Sequence, residues 1–270
     1  MHRFYLPPAC CAGNTLRLDG REAHHALHVL RLKRGEQVVV LDGAGNEFFC
    51  EVESVAPDAV ELRVTKKNSV PSPSCRITLL QALPRGKIIE SIIQKSVELG
   101  AHRIVPLLTE HVVTRLDGQS AEHKREKWQQ VAIEAIKQCG AAWLPEIEAP
   151  MNLADALAGY RSGSRQTARS AQENGGSRPK AATSIELSLV GALQIERRHP
   201  REIFREFENA NGRPPKSVAV WIGPEGDFTP EELQAIEAGG AFPITLGNLT
   251  LRVETATGYC LSILNYELSR

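Results

Sequence analysis

No stretch of the 270 residues approaches the ~20 consecutive apolar positions that a bilayer span needs. The start, MHRFYLPPACCAGN, carries no apolar run of signal-peptide length behind its basic residues. Neither export nor anchoring is indicated, and a cytosolic protein without membrane contact is expected. Net charge is missing too: 32 Lys and Arg stand against 32 Asp and Glu. Bulk electrostatic attraction to nucleic acid is thereby excluded, so an RNA partner would have to be gripped by local patches. The six cysteines (Cys10, Cys11, Cys50, Cys75, Cys139 and Cys260) form no C-x-x-C pair, which argues for reduced thiols rather than zinc or redox work. A G-x-G-x-x-G after a strand is also lacking, and with it the fingerprint of a dinucleotide-dependent oxidoreductase.

What is there can build a core. Apolar residues make up 42% of the chain and charged ones 24%, ordinary values for a globular protein. The length is that of two domains rather than one.

Residues 1–70 read as short strands with turns. Val38-Val39-Val40-Leu41 precedes the turn Asp42–Asn46, and Phe48–Val55 and Val60–Val64 follow. A small barrel-like β domain is expected there. Asn68–Ser74, rich in Ser and Pro, reads as a linker. From residue 75 to 270 strands alternate with amphipathic helices, the pattern of an α/β layer fold with a mainly parallel sheet. Ile77–Leu80, Ile104–Leu108, Glu186–Val190 and Ser217–Ile222 are strand candidates. Ile88, Ile89, Ile92, Ile93 and Val97 form a helical stripe that stops at Gly100, and Trp128, Val131, Ala132, Ala135 and Ile136 form another. Residues 161–184 hold almost nothing that can be buried, so a mobile surface insertion is expected. Its four arginines and one lysine are able to touch RNA or simply remain solvated.

The last hundred residues carry the chemistry. After the strand ending at Ile222 come Gly223-Pro224-Glu225-Gly226, then Thr229 as N-cap, Pro230 as first helical residue and Glu232 closing a capping box. Two glycines around a proline let backbone amides approach a flat ligand, though a bare strand-to-helix turn fits the same residues. About twenty residues on, Ile244–Gly258 reads as a strand, a loop with Arg252 and Glu254 two apart, and the start of a final helix through Leu268. Two such loops at strand ends would line one crevice, where α/β sheets bind ligands.

These residues resemble the RsmE-type ribosomal RNA small subunit methyltransferases, which methylate N3 of a uridine in 16S RNA. The resemblance rests on Gly223–Gly226, on Leu246-Gly247 with Leu251–Ala256, and on Gln94–Gly100 followed by Ile104-Val105-Pro106. His2–Tyr5 and His28–Leu32 with Gly35 extend it to the front. It implies an α/β SPOUT fold whose tail makes a trefoil knot, a PUA-like front barrel that holds RNA, S-adenosylmethionine as cofactor, and a homodimer. It further implies that the main chain of Ile222, Gly223, Pro224, Glu225, Gly226, Leu246, Gly247 and Leu251 holds the adenine and ribose. Arg252, Thr255 and Ala256 would close the pocket and Gly191 would add to it. Three positions depart from the family pattern. Asp227 stands where a third glycine is usual, and Ala141 and His111 stand where arginines are expected. They bear on RNA affinity and target more than on the cofactor loops.

Arg252 and Glu254 are the catalytic candidates. A fixed guanidinium suits the charge that spreads over the uracil carbonyls when N3 loses its proton, or a target phosphate. Glu254 is placed to accept that proton, or else to cap the helix start. Arg3, Arg31, Lys33 and Arg34 in the front domain, with Lys87 and Lys95 on the first helix of the second, are candidate RNA contacts. His24 and His28 stand at helical spacing but lack a third ligand, so no metal is expected. Two rival functions remain: methylation of a ribose 2′-hydroxyl by a related knotted enzyme, and non-catalytic RNA binding.

Overall fold

A computed structural model of the protein describes residues 1–112, 118–160, 185–193 and 197–268. The expected insertion at 161–184 lies outside the described residues. The chain divides into two compact units, Met1–Ser72 with Gln130–Pro145, and Pro73–Gln129 with Glu146–Arg270.

The first unit is a curled five-stranded sheet. Its strands are β1 (His2–Tyr5), β2 (Thr15–Leu18), β3 (Gln37–Leu41), β4 (Asn46–Val55) and β5 (Val60–Ser69), in the order β1-β3-β4-β5-β2. Only β1 and β3 run parallel. Helix α1 (Gly20–His24) runs on into a π turn between β2 and β3. Phe48, Cys50 and Val52 alternate inward along β4 and meet Phe4, Leu16 and Leu62 in one core, the period-two burial of a half-covered sheet. The β3–β4 turn is held by Asp42, whose Oδ1 accepts from the amides of Ala44 (2.8 Å) and Asn46 (2.9 Å).

Two boundaries differ from those expected. Strand β5 runs through Asn68 and Ser69, the first residues of the expected linker, because they pair with Glu47 and Asn46 of β4. Residues 130–145, read as part of the α/β domain, pack with the front sheet. Trp143 lies against Gly45, where a Cβ would come within 2.5 Å of its ring. Its Nε1 donates to the carbonyls of Val70 (3.2 Å) and Pro71 (3.1 Å). The buried Lys137 meets the buried Glu22 at 2.8 Å, a pair stable only with both partners present.

In the second unit β6 (Arg76–Ala82), α2 (Ile88–Glu98), β7 (Arg103–Leu108) and the first half of α3 (Gly118–Cys139) come first. Then follow β8 (Glu146–Ile147), β9 (Met151–Asn152), α4 (Leu153–Gly159), β10 (Leu187–Gly191), α5 (Pro200–Asn211), β11 (Ser217–Ile222), α6 (Pro230–Ala238), β12 (Ala241–Ile244) and α7 (Val253–Leu268). The strand order is β12-β10-β11-β6-β7-β8, with β9 also beside β7, and each of these pairings is parallel. Every residue of β11 is buried, as expected of a parallel strand covered on both faces. Trp221, Phe228, Leu80, Leu107 and Leu233 share its core.

Strand β12 ends where the sequence suggested a strand would begin. Thr245 turns the chain instead: its hydroxyl lies 3.2 Å from the Gly247 amide, and Gly247 has a φ of 109°, a conformation glycine alone adopts freely. From this edge strand the chain returns to lay α7 against β11 and α2. Asn265 Nδ2 donates to the Leu99 carbonyl at 3.1 Å. This mainly parallel sheet with its helices is the expected SPOUT-type fold.

Candidate functional site

Gly191 ends β10 and sits in register with both Ile222, the last residue of β11, and Ile244, the last of β12. Three adjacent parallel strands therefore stop at one level. The loops leaving them emerge side by side at the carboxyl edge, the usual ligand position in such sheets. They enclose a cavity of about 420 Å³, within the range of small-molecule sites.

Of the residues expected to hold a cofactor, Gly191, Ile222, Gly223, Pro224, Glu225, Leu246, Gly247, Leu251, Arg252 and Ala256 line this cavity, whereas Gly226 and Thr255 do not. Gly226 backs onto His111 instead, whose ring would meet a Cβ there at 3.2 Å. Thr255 is exposed on the first turn of α7. Ile88, Leu193, Arg197 and Asp227 are among the further residues that line it without having been expected there. Asp227 was visible in the sequence only as a departure. The others come from loops and a helix start that local patterning does not connect.

Two of the cavity's glycines stand in crowded surroundings. A Cβ on Gly223 would lie 2.8 Å from Asp227 Oδ1 and 3.1 Å from the Phe228 nitrogen, and one on Gly191 would lie 3.2 Å from the Ile222 side chain. The turn after Gly223 leads into the predicted capping box. Thr229 Oγ1 accepts from the Glu232 amide at 3.2 Å, and Glu232 Oε2 accepts from the Thr229 amide at 3.0 Å. Glu232 Oε1 also accepts from the Glu110 amide at 2.8 Å, so the loop after β7 is tied to the start of α6.

Beneath the cavity Gln81, fully buried, joins β6 to the neighbouring elements. Its Nε2 donates to the Ala82 carbonyl at 2.9 Å, and its Oε1 lies 2.7 Å from the Thr257 hydroxyl of α7. The Arg252 carbonyl accepts from the Ala256 amide at 2.8 Å, which makes Arg252 the residue at the mouth of α7. Its side chain is exposed and that of Glu254 half-buried, and both line the cavity. Neither makes a hydrogen bond or ion pair among the described residues, so Glu254 does not cap the helix. The site thus pairs an unengaged cation and an unengaged carboxylate with a wall of main chain.

The basic candidates fare unevenly. Arg3 Nη1 donates to the carbonyls of Gln138 (3.0 Å) and Lys137 (3.3 Å) at the end of α3, against Gly140, so its charge is spent on a helix terminus. Arg31, Lys33 and Arg34 are exposed in the first unit, and Lys87 and Lys95 in the second. The rings of His24 and His28 lie 4.7 Å apart. Among the described residues no three His, Cys, Asp or Glu side chains gather to hold a metal, and no helix is long and apolar enough to cross a membrane.

Comparison with known proteins points the same way. A family model described as an RNA methyltransferase domain matches residues 71–265, and one described as an RNA methyltransferase PUA domain matches residues 18–65. The chain is similar to the ribosomal RNA small subunit methyltransferase E of Synechocystis, 29% identical over 98% of this chain and 77% of the relative. It is also similar to that of Bacillus subtilis, 28% identical over 94% of this chain and 90% of the relative. Among solved structures, a methyltransferase of Legionella pneumophila in complex with its bound cofactor SAM is 29% identical. It superposes with a TM-score of 0.79 over 98% of this chain and 97% of that one. With its catalytic unit matched almost end to end, the chain belongs to the RNA methyltransferase domain family.

Proposed function

We propose that the protein transfers the methyl group of S-adenosylmethionine to N3 of a uridine in 16S ribosomal RNA, in the cytoplasm and as a homodimer. One observation carries the reading. Loops from three adjacent strands build a cavity walled by the main chain of Gly191, Gly223 and Gly247, and a Cβ on the first two would be crowded. Such a wall offers amides and carbonyls to a flat, polar-edged ligand and fits an adenosyl group. The named relatives act on small-subunit ribosomal RNA, and the Legionella protein holds SAM.

When bound, the cofactor supplies a methyl made electrophilic by its cationic sulfur, so that alignment is most of what the chain must provide. Leu246, Leu249 and Leu251 add apolar side chains to the lining. The Arg252 guanidinium balances negative charge on the uracil carbonyl oxygens as N3 loses its proton. The Glu254 carboxylate receives that proton, directly or through water. The front unit, with Arg31, Lys33 and Arg34 exposed, holds the RNA backbone. On α7, Tyr259 and Tyr266 are exposed one above the other, 48% and 77% accessible, an apolar stripe suited to a second copy of the chain.

The PUA-type front unit weighs against a ribose 2′-hydroxyl as target, and the unengaged Arg252 and Glu254 weigh against a non-catalytic scaffold. Mass spectrometry of ribosomal RNA from a strain lacking the protein tests the assignment. Loss of 3-methyluridine from 16S RNA is expected; its undiminished presence refutes it.

A further inference from the structure

We infer that Asp227 is a positioning residue that staples two walls of the cavity together and so sets the affinity for the cofactor. The inference rests on the proposed use of this cavity for S-adenosylmethionine. Asp227 is buried, 8% exposed, yet its backbone is left-handed at a φ of 60°. A side chain with a Cβ seldom holds such a conformation, Asp more readily than most, and its surroundings favour it where they engage its polar groups.

Here they do so from four directions. The Asp227 amide donates to the Pro224 carbonyl at 2.9 Å, closing the Pro224–Asp227 turn. The Asp227 carbonyl faces His111 Nδ1 at 2.9 Å, so that nitrogen must carry the hydrogen. Asp227 Oδ1 accepts from the Phe228 amide at 2.8 Å. Asp227 Oδ2 accepts from the Leu193 amide at 3.1 Å, across from the loop that follows β10. That last bond joins the two loops on either side of the cavity, and Leu193 and Asp227 both face into it.

Charge-assisted bonds from main-chain amides are stronger than neutral ones. Leu193 is 49% exposed, and this bond is the one its amide makes to the facing wall. Without the carboxylate, Leu193 would lose its tie to the facing wall, and the cost of fixing it there on binding would appear as lost affinity. The same carboxylate also imposes glycine at 223, since its Oδ1 occupies the space of a Cβ there.

Two substitutions test this. Asp227→Gly relieves the left-handed strain while removing both carboxylate bonds, and Asp227→Asn keeps the shape but leaves one amide facing an NH₂ group. Calorimetry with S-adenosylmethionine should give a Kd raised about tenfold or more for Asp227→Gly and a smaller rise for Asp227→Asn. The KM for the methyl donor should rise by a similar factor and the KM for RNA should not. Hydrogen exchange at the Leu193 amide should quicken in the free protein. A purely structural role would lower the melting temperature without separating the two KM values. Wild-type Kd in Asp227→Asn, or in both variants, overturns the inference while leaving the function intact. If the unsubstituted protein shows no saturable binding, the functional reading fails and the inference with it.

Discussion

The hydroxyl of Thr257 lies 2.7 Å from Oε1 of Gln81, a buried contact between α7 and the central strand β6. The two residues are 176 positions apart, and their contact anchors the final helix below the cavity. Breaking one side strands a buried amide oxygen, which costs about 1–3 kcal/mol. Thr257→Val should therefore lower the unfolding free energy read from a urea titration by that amount, and Gln81→Leu combined with it should recover part of the loss. A double substitution no better than the single one would show that the pair does not act together.

Gly223→Ala inserts a methyl where Asp227 Oδ1 stands 2.8 Å away. Overpacking a tight site costs about 1–3 kcal/mol. Here it falls on the cavity wall, so calorimetry should show S-adenosylmethionine binding weakened by about tenfold or more. Far-ultraviolet circular dichroism should be unchanged.

Arg252 and Glu254 are expected to separate chemistry from cofactor binding. Arg252→Ala should lower kcat by about a hundredfold, the usual loss when one electrostatic stabiliser is removed. Glu254→Gln should lower it by about as much if the carboxylate takes the proton. The cofactor Kd should change far less than kcat in Glu254→Gln. Single-turnover methylation of a 16S RNA fragment reads both.

The forked pair between Arg213 and Glu186, at 2.8 and 2.9 Å, holds the Glu186 carboxyl below its ordinary value of 4.5, with the Lys216 amide assisting. A carboxyl depressed on folding adds stability above 4.5, and the contribution disappears as the pH falls through the lowered folded value. Arg213→Ala should thus unfold at lower urea than the parent at neutral pH. The gap should close in acid, and a gap independent of pH would exclude the pair as its source.

Features governed by neighbours in sequence were legible before the fold was known. The Thr229–Glu232 capping box, the buried strand Ser217–Ile222 and the glycine turn between them all depend on a few consecutive residues. Reading failed where the deciding partner is remote. Arg3, an expected RNA contact, gives its Nη1 to the carbonyls at the end of α3, which no local pattern foretells. Residues 130–145 look like part of the α/β domain until Trp143 reaches Val70 and Pro71. Asp227 looks like a lapse from a glycine pattern until Leu193 appears opposite its carboxylate.

The sequence by itself determined the alternation of strands and helices, the β-rich front and the glycine-bearing loops, because hydrophobic period and turn chemistry are local. Only the tertiary structure decided that Gly191, Ile222 and Ile244 end at one level and that their loops share one cavity. Strand register is set by packing between segments far apart in the chain, and no local pattern encodes which loops will face each other.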